Sequence, residues 1–291
     1  DTLKFDSVFT QKRYFEAYLW GAAGQLPDES RIFGHEYAPG ITAGDDIFTV
    51  MSSDIFRGSA FALGYVNPDN LRGMNVWSDM YKVIRKANLM LARMDECQDM
   101  TALDRRNYTG YIHFLRGYAY YHILMTCGPA ILVGDEIFES NLDGPAYNTY
   151  RATYDETVEY ICSELETAAA YLPLKASIAQ FERPTKGAAY ALIARLRLHA
   201  ASPLFNGTST ARLYFGNWKR TYDKAYYINQ NYSEEKWALA AAACKRVIDM
   251  NVYELFTVSK DQNTPQLPAG VPTENFPNGA GGIDPFKSYS H

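Results

Sequence analysis

The sequence of 291 residues has no apolar run of about 18 residues, so nothing in it can cross a membrane as a helix. Its first residues, Asp1 to Phe9, are too polar for a signal peptide; a mature exported chain would have lost its signal and any lipid-bearing Cys before residue 1. Basic charge is not in excess. With 28 Lys and Arg against 33 Asp and Glu the net charge is -5, which leaves nothing to neutralise a phosphate backbone and excludes nucleic acid as an expected partner. Cysteine is sparse: Cys97, Cys127, Cys162 and Cys244 are far apart and form no C-x-x-C or Cys/His cluster. They read as buried thiols, with a disulfide left open by the spacing.

The usual marks of catalysis are missing as well. His35, His113, His122, His199 and His291 include no i,i+4 pair and no H-E-x-x-H, and G-x-S-x-G is absent. Gly279 to Gly282 lacks the strand, helix and Lys of a phosphate cradle. Neither a metal site nor a cofactor is expected. Glu36, Asp45, Asp46 and Asp54 are the candidates for the paired acids of an all-α glycoside hydrolase, and they read more simply as solvated loop acids or caps.

What the sequence does have is helical periodicity and Tyr. The pattern predicts an amphipathic helix over Ser7 to Trp20, then irregular chain from Leu26 to Gly73. A helix follows with Trp77, Tyr81, Ile84, Asn88 and Leu91 on one face, and another, starting near Tyr108, with Tyr111, Phe114, Tyr118, Tyr121 and Met125, stopped by Gly128-Pro129. Tyr154, Val158, Ile161, Leu165, Ala168 and Leu172 predict a third, with Thr153 and Glu156 as a capping box and Pro173 as the stop. A fourth runs from Thr185 through Ala189, Leu192, Leu196 and Ala200 to Pro203. A fifth begins near Ser233 with Trp237, Ala241, Cys244 and Ile248 on one face. Strand signals are confined to Ala130 to Val133 and Tyr253 to Val258. The fold class is therefore all-α: tetratricopeptide-like antiparallel helix pairs, an alpha-alpha superhelix with long irregular loops. Residues 1-256 form the expected helical domain. Residues 257-291 are a Pro/Gly-rich loop or tail expected to lead into a further C-terminal portion.

Specific residues in these helices carry a resemblance. Trp77-Ser-Asp-Met-Tyr81-Lys-Val-Ile84-Arg-Lys-Ala87-Asn88, Phe114-Leu115-Arg116-Gly117-Tyr118-Ala119-Tyr120-Tyr121 and the Gly128-Pro129 turn resemble successive motifs of SusD/RagB-like proteins. So do Ile161-x3-Leu165-x2-Ala168-x3-Leu172-Pro173, Pro184-Thr185-Lys186-Gly187-Ala188-Ala189 and the Trp237 to Ile248 helix. Gly117 and Glu164 stand where Ala and Asp are commoner in that family. The resemblance implies a non-catalytic, cell-surface nutrient-binding protein, usually for glycans, lipid-anchored on the outer membrane of Bacteroidetes-type bacteria and working with a TonB-dependent (SusC-like) transporter. Peptide-binding members of the family, an all-α glycoside hydrolase and a cytosolic peptide-binding scaffold remain alternatives.

No ligand motif transfers residue by residue, so chemistry selects the candidates. A sugar site needs aromatic faces for stacking and polar groups for its hydroxyls. Two loops combine them: Asp46 to Asn70, with Arg57, Tyr65, Asn67 and Asn70, and Tyr214 to Tyr227, with Phe215 and Trp218. The competing reading is that these aromatics pin their loops to the helices.

Overall fold

A computed structural model describes residues 5-30, 40-45, 47, 49, 57-67, 69-71, 75-138, 143-147, 149-270 and 282-288. The candidate residues His35, Glu36, Asp46, Asp54 and His291 lie outside them, as does most of Gly279 to Gly282.

The described elements are helical: after a 3-10 turn at Phe5–Phe9 come α1 (Lys12–Ala23) and the single turn α2 (Ser59–Ala62). The long hairpins follow: α3 (Trp77–Arg93) with α4 (Ala102–Cys127), then α5 (Tyr154–Tyr171) with α6 (Lys186–Ala201). A short α7 (Ser209–Phe215) precedes α8 (Glu234–Asp249). Among the described residues there is no strand. The two stretches with strand-like composition, Ala130 to Val133 and Tyr253 to Val258, have no regular secondary structure, and pairing among the described residues is confined to isolated bridges. No described helix is long and apolar enough to cross a membrane.

Helix α4 packs against α3 on one side and α5 on the other, α5 packs on α6, and α1 packs on α3. A helix flanked on both sides buries residues around most of its circumference. In α4 both the predicted stripe residues Tyr111 and Tyr121 and the opposite-facing Ile112, Tyr120 and Ile123 are buried. It also starts earlier than its apolar pattern suggests. Thr101 and Asp104 close a capping box, so the polar first turn from Ala102 is helical through its cap rather than its burial.

In α5 the predicted stripe is the observed core: Tyr154, Val158, Ile161, Leu165, Ala168 and Leu172 are all at most 2% exposed. The Thr153/Glu156 capping box is present. Close approach of α4 and α5 depends on glycine. A Cβ on Gly110 would stand 3.0 Å from both the side chain and the backbone nitrogen of Leu172, and one on Gly117 would stand 3.2 Å from Glu164 Cβ.

Two helix histidines sit differently: His122 is buried with no hydrogen-bond partner at Nε2, whereas His199 is half-buried. His122 is 4% exposed, and burial pushes its pKa down to about 4. His199 Nδ1 lies 2.8 Å from the Tyr154 hydroxyl.

Helix α8 departs from expectation. Its predicted inward face is exposed at Trp237 (40%), Ala241, Cys244 and Ile248 (73%), and only Ala240 is buried. Ala240 and Ala243 give it a narrow apolar contact with the core, and charge adds to this: Lys236 pairs with Asp155 at 2.5 Å and Arg246 pairs with Glu166 while stacking on Tyr190. Cys244 is thus exposed, against the expectation of a buried thiol, while Cys97 and Cys162 are buried and Cys127 is half-buried. All four are free.

The chain divides into two compact units, Asp1–Arg246 and Val247–His291. In the second, Asp284 is fully buried. It accepts hydrogen bonds from Thr264 and from the backbone of Phe286 and Lys287, and its own amide donates to Val258.

Candidate ligand-binding site

The loop from residue 204 to 232, irregular by its sequence pattern, is organised by aromatic rings. Tyr154 stacks on Phe205 at 4.4 Å with an interplanar angle of 5°. Phe205 meets Phe215 at 6.2 Å, Phe215 meets Trp218 at 6.2 Å, and Trp218 meets Tyr227 at 4.7 Å. The column starts on α5, where Tyr154 is 1% exposed, so its rings anchor the loop to the helical core. Trp218 closes it over Gly128, where a Cβ would lie 3.5 Å from Trp218 Cη2.

Beyond the column the chain doubles back as a short ribbon. Tyr227 N donates to Trp218 O at 3.0 Å, Arg220 N donates to Ala225 O at 2.8 Å, and Lys219 bridges Tyr226. Lys224, with φ 61°, supplies the left-handed turn residue, and Asp223 Oδ1 accepts from Ala225 N at 3.0 Å. A charged clamp fixes this tip. Arg220, 8% exposed, reaches Asp223 at 2.7 Å and Glu156, the capping residue of α5, at 2.7 Å. Burial works against the charge of Glu156, but the Thr153 amide and Arg220 outweigh it, and the carboxyl sits below its ordinary pKa. Arg220 likewise lowers that of Asp223. Both carboxylates are ionised at neutral pH and serve as acceptors.

This rigid tip presents open ring faces. Tyr222, 56% exposed, lies 4.5 Å from Tyr150, 59% exposed, at 51°; Arg220 stands 5.2 Å from the Tyr222 ring. Tyr226 is exposed beneath Lys219, and Trp218 is 36% exposed. Two tilted tyrosine rings beside ionised carboxylates offer C-H stacking and hydroxyl acceptors together.

Of the predicted residues, the structure brings Phe215 and Trp218 together inside the aromatic column. Phe215 is half-buried there and works mainly as an anchor. Asn67 and Asn70 pair with each other as an isolated bridge, and Asn67 Oδ1 accepts from the amides of Asp69 and Asn70, so this oxygen is spent on its own turn. Arg57 lies two residues before α2, and Tyr65, 51% exposed, comes three residues after it. Sequence reasoning missed Tyr150, Arg220, Tyr222, Asp223 and Tyr226. The Thr221-Tyr222-Asp223-Lys224 run carried a turn signal that could have revealed the ribbon. Nothing in the sequence linked Tyr150 to it. Among the described residues no group of His, Cys, Asp or Glu could hold a metal ion.

The fold matches solved structures at low sequence identity. A SusD-like protein from Bacteroides fragilis superposes with a TM-score of 0.61 at 19% identity, over 87% of this chain and 40% of its own. A SusD homolog from Bacteroides thetaiotaomicron gives 0.59 at 20%, over 88% and 44%. Surface glycan-binding protein A from Bacteroides thetaiotaomicron gives 0.51 at 17%, over 67% and 41%. The chain thus spans about two fifths of the length of these structures. No protein of curated function matches it. A SusD-like family model described as "Starch-binding associating with outer membrane" matches residues 44–198. That segment holds α3 to α5, the Arg116–Glu164 contact and most of α6, and covers more than half of the chain, so this protein belongs to the SusD-like family.

Proposed function

We propose that the chain is part of a cell-surface nutrient-binding protein that captures glycans on the ribbon beside α5 and performs no chemistry on them. The observation that carries this reading is the exposed Tyr150–Tyr222 pair on a tip clamped by Arg220, Glu156 and Asp223. Pre-ordered rings lose little freedom on meeting a sugar. A glycosidase acid must carry a proton at working pH, whereas Glu156 and Asp223 are held ionised by Arg220, so the same clamp favours binding over hydrolysis.

Family membership supports the wider context: a lipid-anchored position on the outer face of the outer membrane and delivery to a TonB-dependent transporter. A helical portion over 1-256, followed by a Pro/Gly-rich lead into further polypeptide, is part of the same reading. It is supported by matched structures more than twice as long as this chain. Arg57, Tyr65, Asn67 and Asn70 are further candidate contacts, with Trp218 on the ribbon.

The test is a calorimetric or affinity-electrophoresis screen of oligosaccharides, with Tyr222→Ala, Tyr150→Ala and Tyr65→Ala beside the parent. Loss of about 1 kcal/mol or more of binding in the first two, at unchanged melting temperature, is expected. Full binding in both would remove the ribbon as the site, and turnover of the sugar would overturn the non-catalytic reading.

A further inference from the structure

Charge around the Tyr150–Tyr222 pair runs opposite to that of the whole chain. The sequence is net -5, yet the ribbon and its surroundings bring Arg151, Lys219, Arg220 and Lys224 against the two carboxylates Glu156 and Asp223. Arg220 holds both of these. Asp155, the neighbouring acid on α5, is cancelled by Lys236 at 2.5 Å. Among the described residues the other three cations meet no carboxylate. Arg151 donates to the carbonyls of Cys127 at 2.9 Å and Pro129 at 3.3 Å and lies 4.5 Å from the Trp77 ring, and Lys224 reaches the Thr221 carbonyl at 2.8 Å. Ring faces set in a local excess of positive charge attract anions.

Lys219 is the cation placed to meet one. Successive side chains of an extended strand point to opposite faces, and Trp218 with Tyr227 takes the face that closes the aromatic column. Lys219 and Tyr226, bridged across the ribbon, therefore point away from the core. Both are exposed, and the Lys219 ammonium lies 4.3 Å from the centre of the Tyr226 ring, with no hydrogen-bond acceptor or carboxylate among the described residues. Contact with the ring restrains a long side chain before any ligand arrives, so less freedom is lost on binding. Lys219 and Tyr222 are three residues apart, a span of at most about 11 Å, so one oligosaccharide can touch both.

We propose, resting on the reading of the ribbon as the glycan surface, that it selects acidic glycans: a sugar ring lies against Tyr222 and Tyr150, and the carboxylate of a uronic acid unit in the same oligosaccharide pairs with Lys219. The clamp and the lysine divide the work. Glu156 and Asp223 accept from sugar hydroxyls, Lys219 donates to the carboxylate, and Arg220, between the two acids, limits their repulsion of an anionic ligand.

Titration calorimetry of the 291-residue chain with trigalacturonate and with its methyl ester tests this, since the two share every ring and differ in the carboxylate charge. The acid should bind about tenfold more tightly, and raising the salt from about 50 mM to about 500 mM should remove most of that preference. Lys219→Met should bring the acid down to the level of the ester, and Lys219→Arg should keep the preference, both at unchanged melting temperature. Equal affinity for acid and ester, no binding of the acid at millimolar concentration, or an acid preference unchanged in Lys219→Met would each overturn the charge selection. Tyr222→Ala separates this outcome from failure of the wider reading. If acid and ester bind equally and both are lost in Tyr222→Ala, the ribbon remains a glycan surface without charge selection; if neither weakens in Tyr222→Ala, the ribbon is not the site and both readings fall.

Discussion

Arg116 of α4 grips Glu164 of α5 through two hydrogen bonds, Nε to Oε2 at 2.8 Å and Nη2 to Oε1 at 2.7 Å, across 48 residues of sequence. Both side chains are buried. The remaining guanidinium nitrogen donates to Asn88 Oδ1 at 2.8 Å and Asp135 at 2.6 Å. Asn88 in turn donates to the carbonyls of Gly134 and Glu136, and His113 Nδ1 lies 2.9 Å from Glu164. One cluster therefore ties α3, α4, α5 and the turn after α4. Removing one partner strands the other charge, so Arg116→Met should cost about 3 to 5 kcal/mol in chemical denaturation. Replacing both partners with apolar residues should cost much less.

Acid should loosen the same cluster. Burial opposes the charge on Glu164, but hydrogen bonds from His113 and Arg116 and their positive field outweigh it, and the carboxyl lies below its ordinary pKa. A depressed folded-state pKa contributes stability that is complete above the unfolded value, about 4.3 for Glu, and is lost as pH falls through the folded value. Denaturation followed from pH 6 to pH 3, roughly, should show a slope that Glu164→Gln partly removes.

Two apolar substitutions should differ sharply. Leu165 is fully buried, and Leu165→Ala should cost about 2 to 5 kcal/mol. Ile248, on what the sequence pattern makes an inward face of α8, is 73% exposed, and Ile248→Ala should change stability by less than about 0.5 kcal/mol. A large loss at Ile248 would mean that α8 is covered in solution.

Thiol reactivity should follow exposure. Burial pushes Cys162 up to about 12, and burial with the Asp99 contact pushes Cys97 up to about 11; burial raises Cys127 as well. Cys244 is exposed. A maleimide titration of the folded protein should label Cys244 first and leave Cys97 and Cys162 unmodified until denaturant is added.

The aromatic column should separate folding from binding. Phe205→Ala removes the ring between Tyr154 and Phe215 and should lower stability and glycan binding together, because the ribbon loses its anchor. Tyr222→Ala should lower binding alone. Melting curves run beside a glycan titration distinguish the two.

The helices and their caps could be read from the sequence because they are short-range. Tyr154 to Leu172 repeats with the helical period, Thr153 and Glu156 are three residues apart, and Pro184-Thr185 opens α6 through its own side-chain cap. The family's ordered motifs are written in the same local terms. Tertiary structure decided what depends on distant partners. Tyr150 meets Tyr222 and Arg220 meets Glu156 only because the aromatic column folds the loop back onto α5, and no period links these positions. Nor could periodicity determine whether α8 is covered. Its apolar stripe specifies a face suited to burial, but burial requires a neighbour at contact distance, and in this structure a narrow alanine contact and salt bridges hold the helix while that stripe remains in water.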